Sequence, residues 1–173
     1  MSKPVETART AAHWSKFSEG SDHDRDAWVN ACRALTHAIY PGLDLEREIR
    51  AVQAQGLGDT VLISDADGLA GFAVCQCGPG TEGGADECYI KFGAVRSAPS
   101  SGALFEELLD ACESLAATRG VSRIEAGVNL SRPEAYRKLL DRGFRTDNQG
   151  VTMHRPNEPG YSRPGVYVID DWR

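Results

Sequence analysis

The sequence predicts an α/β (α+β) domain: a mixed sheet, antiparallel in its N-terminal strands, with a central βαβ unit flanked by helices. Three observations predict it. Residues 60–63 and 69–77 are apolar runs joined by Ser64-Asp65-Ala66-Asp67-Gly68, a strong hairpin signal. Residues 87–118 read as a strand (ECYIKFGAV), a small-residue loop (RSAPSSG) and an amphipathic helix. That helix is stopped by Gly120 and followed by a strand over 121–128 (VSRIEAGV), so two neighbouring strands should run parallel around a crossover helix.

The elements follow in order. Residues 1–23 are polar and small, with Trp14 and Phe17 as their large apolar residues, and are expected to form a partly ordered arm. Trp28, Ala31, Cys32, Leu35 and Ile39 make a helical stripe over 24–40, started by Ser21 or Asp22 and ended by Pro41-Gly42. Asp44 can cap a second helix that buries Leu45, Ile49 and Val52, and Gly56 and Gly58 close it. The loop 78–86 (GPGTEGGAD) leads into the strand over 88–95. In the central helix Phe105, Leu108, Leu109, Cys112, Leu115 and Ala116 share one face, with Glu106, Asp110 and Glu113 turned away. Ser131-Arg132-Pro133-Glu134 reads as a capping box opening a helix over 133–142. Residues 144–147 and 151–155 suggest a final hairpin, and 166–169 (VYVI) a strand that would be a sticky edge if left uncovered. The expected organisation is an arm (1–23), one domain (24–156) and a tail (157–173).

A net charge of -6 and a pI near 5.2 argue against a nucleic-acid or anionic-membrane surface. No apolar run reaches the length of a membrane span, and the first twenty residues lack the apolar middle of a signal peptide, so a cytoplasmic protein is expected. Five cysteines, an odd number, fit a reduced compartment. Cys75 and Cys77 point to one strand face and Cys88 can join them from a neighbouring strand. They are read as buried small hydrophobes, since a fourth zinc ligand at a sensible spacing is lacking; no metal is expected.

The order helix, helix, three antiparallel strands, helix, strand, helix, hairpin over about residues 24–155 resembles the GNAT-type N-acetyltransferases. The segment from Val95 to Leu109 has the spacing of the family's acetyl-CoA loop and helix, and Asn129, Ala135 and Gly143-Phe144 resemble its N…A…GF segment. The loop departs from the family pattern: in register it reads Ser100-Ser101-Gly102-Ala103-Leu104-Phe105, with serine for the usual Arg or Gln. Leu139 stands where many members carry a tyrosine, and Tyr136 lies one turn earlier on nearly the same face.

The resemblance implies transfer of an acetyl group from acetyl-CoA to an amine by direct attack. Amides around Ser97, Ser100, Ser101, Gly102 and Ala103 would receive the pyrophosphate, at the positive end of a helix. Free N–H groups where the strand of Val95 splays from the next strand would supply an oxyanion site, and Asn129 belongs to the same cofactor-binding set. Glu87 is the candidate base, acting through a water, with Glu125 second; Tyr136 is the candidate acid. Each has a plain structural reading beside it, as a solvated carboxylate or a surface tyrosine. Arg96 and Arg132 could meet the adenosine phosphate, and His154 reads as a partly buried histidine. Asp22, Asp24, Asp26, Glu82, Asp86 and Glu87 would favour a cationic amine. The expected substrate is a small-molecule or peptide amine. The alternative is a non-catalytic GNAT-like module that binds acyl-CoA or a partner, with homodimerisation through a sheet edge compatible with either.

Overall fold

The structure, a computed structural model, describes residues 1–5, 14–151 and 164–170. Helix α1 (Asp22–Ile39) starts as a capping box: Ser21 accepts from the Asp24 amide while Asp24 takes the Ser21 N–H. Helix α2 (Glu46–Ala54) follows, and the Asp44 carboxylate accepts from the Glu46 amide at 2.9 Å. Strands β3 (Gly58–Asp65), β4 (Gly68–Cys77) and β5 (Glu87–Val95) form an antiparallel meander. Helix α3 (Ser101–Arg119) ends at Gly120 with φ +70°, and β6 (Arg123–Ala126) returns parallel to β5. Helix α4 (Pro133–Asp141) completes this half.

The N-terminal segment, expected as an arm, supplies two edge strands. β1 (Ser2–Pro4) pairs with β6, and β2 (Trp14–Lys16) pairs with β3. The sheet has seven strands in the order β1-β6-β5-β4-β3-β2, with β7 (Val168–Asp170) pairing β5 off that path. Residues 144–147 form no strand; Arg145 makes a single bridge to Ser2. Of the second arm of the expected hairpin, Val151 is exposed and in no strand, and residues 152–155, with His154, lie outside the described residues.

One core packs α3 and α4 on one face of the sheet, through Phe105, Leu108, Leu109, Leu139 and Phe144. The other packs α1 and α2 on the opposite face, through Val29, Ile39, Ile49 and Phe72. A bulge couples the two. Val74 faces Phe92 and Cys75 faces Ile90, so Lys91 is the extra residue in β5. Alternation along a strand has period two, and one inserted residue inverts it. Cys88 and Ile90 therefore join the α3 core, whereas Phe92 and Ala94 join the α1 core.

Glu106, Asp110 and Glu113 do not point to solvent. Arg142 at the end of α4 reaches all three, and Lys3 of β1 meets Glu113 at 3.0 Å with both side chains buried. A capped aliphatic stripe alone cannot reveal this, because the partners arrive from distant segments.

Candidate functional site

The bulge and the short β6 create a splay. β6 pairs with the first half of β5, from Glu87 to Ile90, and β6 ends at Ala126. Beyond it β5 is paired by β7, antiparallel, through Phe92, Gly93 and Ala94. The Val95 N–H donates to the Tyr167 carbonyl at 3.4 Å, and the Asp170 N–H donates to the Gly127 carbonyl at 3.1 Å. The main-chain groups expected to be open at the splay are thus engaged by the chain's own tail. β7 behaves as an interior strand: Val168 joins the α1 core, Ile169 the α3 core, and both are fully buried. The buried Arg132 guanidinium pairs with Asp170, which fixes the strand to the start of α4.

The corner before α3 is similarly occupied. Tyr167 packs against Phe105 with ring centroids 5.3 Å apart and planes tilted by 38°, and its hydroxyl lies 3.1 Å from where a Cβ on Gly102 would sit. The Ser101 amide donates to the Ala98 carbonyl, and those of Ala103 and Leu104 to the Ser100 carbonyl. Buried Ser101 Oγ accepts from the Ala98 amide at 2.7 Å and lies 3.0 Å from the Arg96 carbonyl. This side chain closes the loop on itself, whereas Ser97, Ser100 and Ala103 are exposed. Arg96 turns toward the β3–β4 hairpin and pairs with Asp65 at 2.5 Å. Asn129 is exposed; its Oδ1 accepts from the Ser131 amide and hydroxyl, an Asx turn in place of the expected capping box at Ser131. With β7 seated, these residues do not fit acetyl-CoA.

A cavity of about 250 Å³ opens beside the splay, lined by Met1, Glu82, Tyr89, Glu125, Val128 and Asn148 with Ala126 and Gly127, and the Met1 ammonium donates to the Ala126 carbonyl at 2.9 Å. Glu87, at the start of β5, does not line it: its carboxylate pairs with Arg123 at 3.0 Å, across the β5–β6 register. Tyr136, half-buried in the first turn of α4, does not line it either. Asp86 is bound to Ser122, Asp26 to Arg50 and Asp22 to Arg25, so of the six expected acidic residues Glu82 alone reaches the cavity. Glu82 also meets Lys91, at 2.6 Å. Partial burial, opposed by the Met1 ammonium and reinforced by the neighbouring Glu87 carboxylate, raises the Glu125 carboxyl above its ordinary range. Tyr89 and Asn148 are the lining residues sequence reasoning missed. Tyr89 stands two residues from Glu87 on the same strand face, a signal that was available; Asn148 arrives only through the fold.

No protein-family model and no curated protein sequence matches the chain. Solved structures do. A transcriptional regulator from Bacillus halodurans C-125 is similar over 82% of this chain and 97% of its own, at 17% identity and a TM-score of 0.59. The protein TTHA1254 from Thermus thermophilus matches over 83% of this chain and 96% of its own, at 17% identity and 0.57. A structure described as a predicted acetyltransferase with acetyl-CoA, from Clostridium acetobutylicum, matches over 82% and 95%, at 15% identity and 0.52. The fold is GNAT-like. At these identities the likeness carries the architecture alone, and the sheet here holds its own tail within the splay.

No helix among the described residues is long and apolar enough to cross a membrane.

Proposed function

We propose that this chain is a non-catalytic GNAT-like binding module that takes a small cationic amine in the cavity beside Tyr89 and Glu125. One observation carries the non-catalytic half: β7 fills the splay expected to receive the thioester. Val166, Val168 and Ile169 are buried by that arrangement. At roughly 1.5–3 kcal/mol per buried aliphatic side chain, ejecting them costs on the order of 5–9 kcal/mol, an upper estimate. A micromolar ligand supplies about 8 kcal/mol. Displacing β7 would therefore consume most or all of a cofactor's binding energy. The amine half is supported by the carboxylates of Glu82 and Glu125 and by the Tyr89 ring, a surface for a cation. A cation favours ionised Glu125, so amine binding should tighten as pH rises through that group's raised pKa.

Calorimetric titration of the full chain tests both halves. Acetyl-CoA should give no heat; putrescine should give heat that falls about tenfold in affinity on Glu125→Gln. Heat from acetyl-CoA, followed by thiol release when an amine is added, would overturn the reading. Silence from putrescine would remove the amine.

The second reading is an N-acetyltransferase in which β7 withdraws before acetyl-CoA enters; the shortness of β7, three residues, favours it. It expects acetyl-CoA binding to abolish hydrogen-exchange protection of β7 itself, at Val168 and Ile169.

A further inference from the structure

Four of the five cysteines meet between the sheet and α3: Cys75 and Cys77 on β4, Cys88 on β5 and Cys112 on α3. Cys75 Sγ and Cys112 Sγ are 3.8 Å apart and both residues are fully buried. No group of three or more His, Cys, Asp or Glu among the described residues is placed to hold a metal ion. Cys77 and Cys88 stand directly opposite each other across the β4–β5 ladder. The hydrogen bonds on either side define what kind of pair this is. The Gly78 N–H donates to the Glu87 carbonyl at 3.2 Å, whereas the Cys77 N–H turns away to the Leu57 carbonyl at 2.8 Å. Cys77 and Cys88 are therefore a non-hydrogen-bonded pair, the closer of the two antiparallel spacings, with Cα atoms about 4.5 Å apart. That falls inside the ~4.4–6.8 Å range a disulfide spans. Cys88 is fully buried, and Cys77 is the member of the cluster with solvent contact.

We propose that Cys77 and Cys88 are a reversible redox pair, oxidised by a hydroperoxide to a cross-strand disulfide. The Cys77 thiolate attacks the terminal peroxide oxygen, the O–O bond breaks, and an alcohol or water leaves as Cys77 becomes a sulfenic acid. The Cys88 thiolate then attacks that sulfur, the S–S bond forms, and the sulfenic oxygen departs as water. Two thiols lose two electrons and the peroxide gains them. Hydrogen bonds from Cys75 and Cys77, helped by the charge of Arg119, hold Cys88 below the usual thiol range, which suits it to the second step. The Cys88 sulfur and burial push the Cys77 thiol up, so the first step is slow. The crosslink would close the loop 78–86, which carries Glu82 to the cavity.

The test treats the reduced full chain with a few equivalents of hydrogen peroxide and counts thiols. Two of the five should disappear, return with dithiothreitol, and be accompanied by a higher thermal midpoint. Cleavage after Glu82 and Glu87 separates Cys77 from Cys88 unless they are linked, and fragmentation of the linked peptide between Cys75 and Cys77 then decides the pairing in the wild-type chain. Cys75→Ser should retain the link and Cys77→Ser should lose it. Persistence of all five thiols, a link through Cys75 or Cys112, or over-oxidation of Cys77 without a link would each overturn the assignment.

Discussion

Ser101 was expected to offer its amide to a ligand; its hydroxyl instead holds a loop together. Its Oγ accepts from the Ala98 amide and reaches the Arg96 and Ala98 carbonyls in a site that is 2% exposed. Ser101→Ala should leave a buried amide unpaired and lower stability by about 1–3 kcal/mol, measured by urea denaturation. Glu125 gives a second test at this scale. Its folded pKa is raised, so its contribution favours the folded state below the ordinary carboxylate range and is lost as pH rises through the raised value. Glu125→Gln should raise the thermal midpoint at neutral pH, and the difference should vanish near pH ~4.

At the scale of elements, β7 decides how the splay is used. A Cβ on Gly127 would lie 2.5 Å from the Asp170 carbonyl oxygen, a backbone atom that cannot swing aside. Gly127→Ala should therefore loosen β7 and shorten the hydrogen-exchange lifetimes of the Val168 and Ile169 amides; unchanged lifetimes would mean that β7 is held by its side chains alone. Ile169→Ala should cost about 2–5 kcal/mol, the range for truncating a fully buried aliphatic side chain. Elements with strong local signals were legible in the sequence: the β3–β4 hairpin, the Ser21 cap, the stripe of α3 and the stop at Gly120. β1 and β2 were not, because three residues carry no readable period. The strand character of the tail was visible, but its place beside β5 depends on pairing across more than seventy positions, which no local pattern encodes.

For the whole molecule, charged side chains join segments far apart in sequence. Lys3 and Arg142 converge on Glu113, tying β1 and the end of α4 to α3. Removing one member of such a set strands the others away from water, so Glu113→Ala should cost roughly 3–5 kcal/mol in denaturant melts. Of the candidate site, the carboxylates Glu82 and Glu125 could be named from the sequence, since both are polar residues in or beside strand patterns. Their convergence with Tyr89 and Asn148 could not, because it is a product of the parallel β5–β6 register.

The extra residue at Lys91 has a consequence for any attempt to redesign this sheet. Deleting that lysine would restore strict up-and-down order along the strand. Ile90 would still face Cys75 and Phe92 would still face Val74, so each side chain would keep its present layer. A single-codon loss would thus remove the local kink and the Lys91–Glu82 pair while leaving unchanged the inside and outside of the strand that both halves of the molecule share.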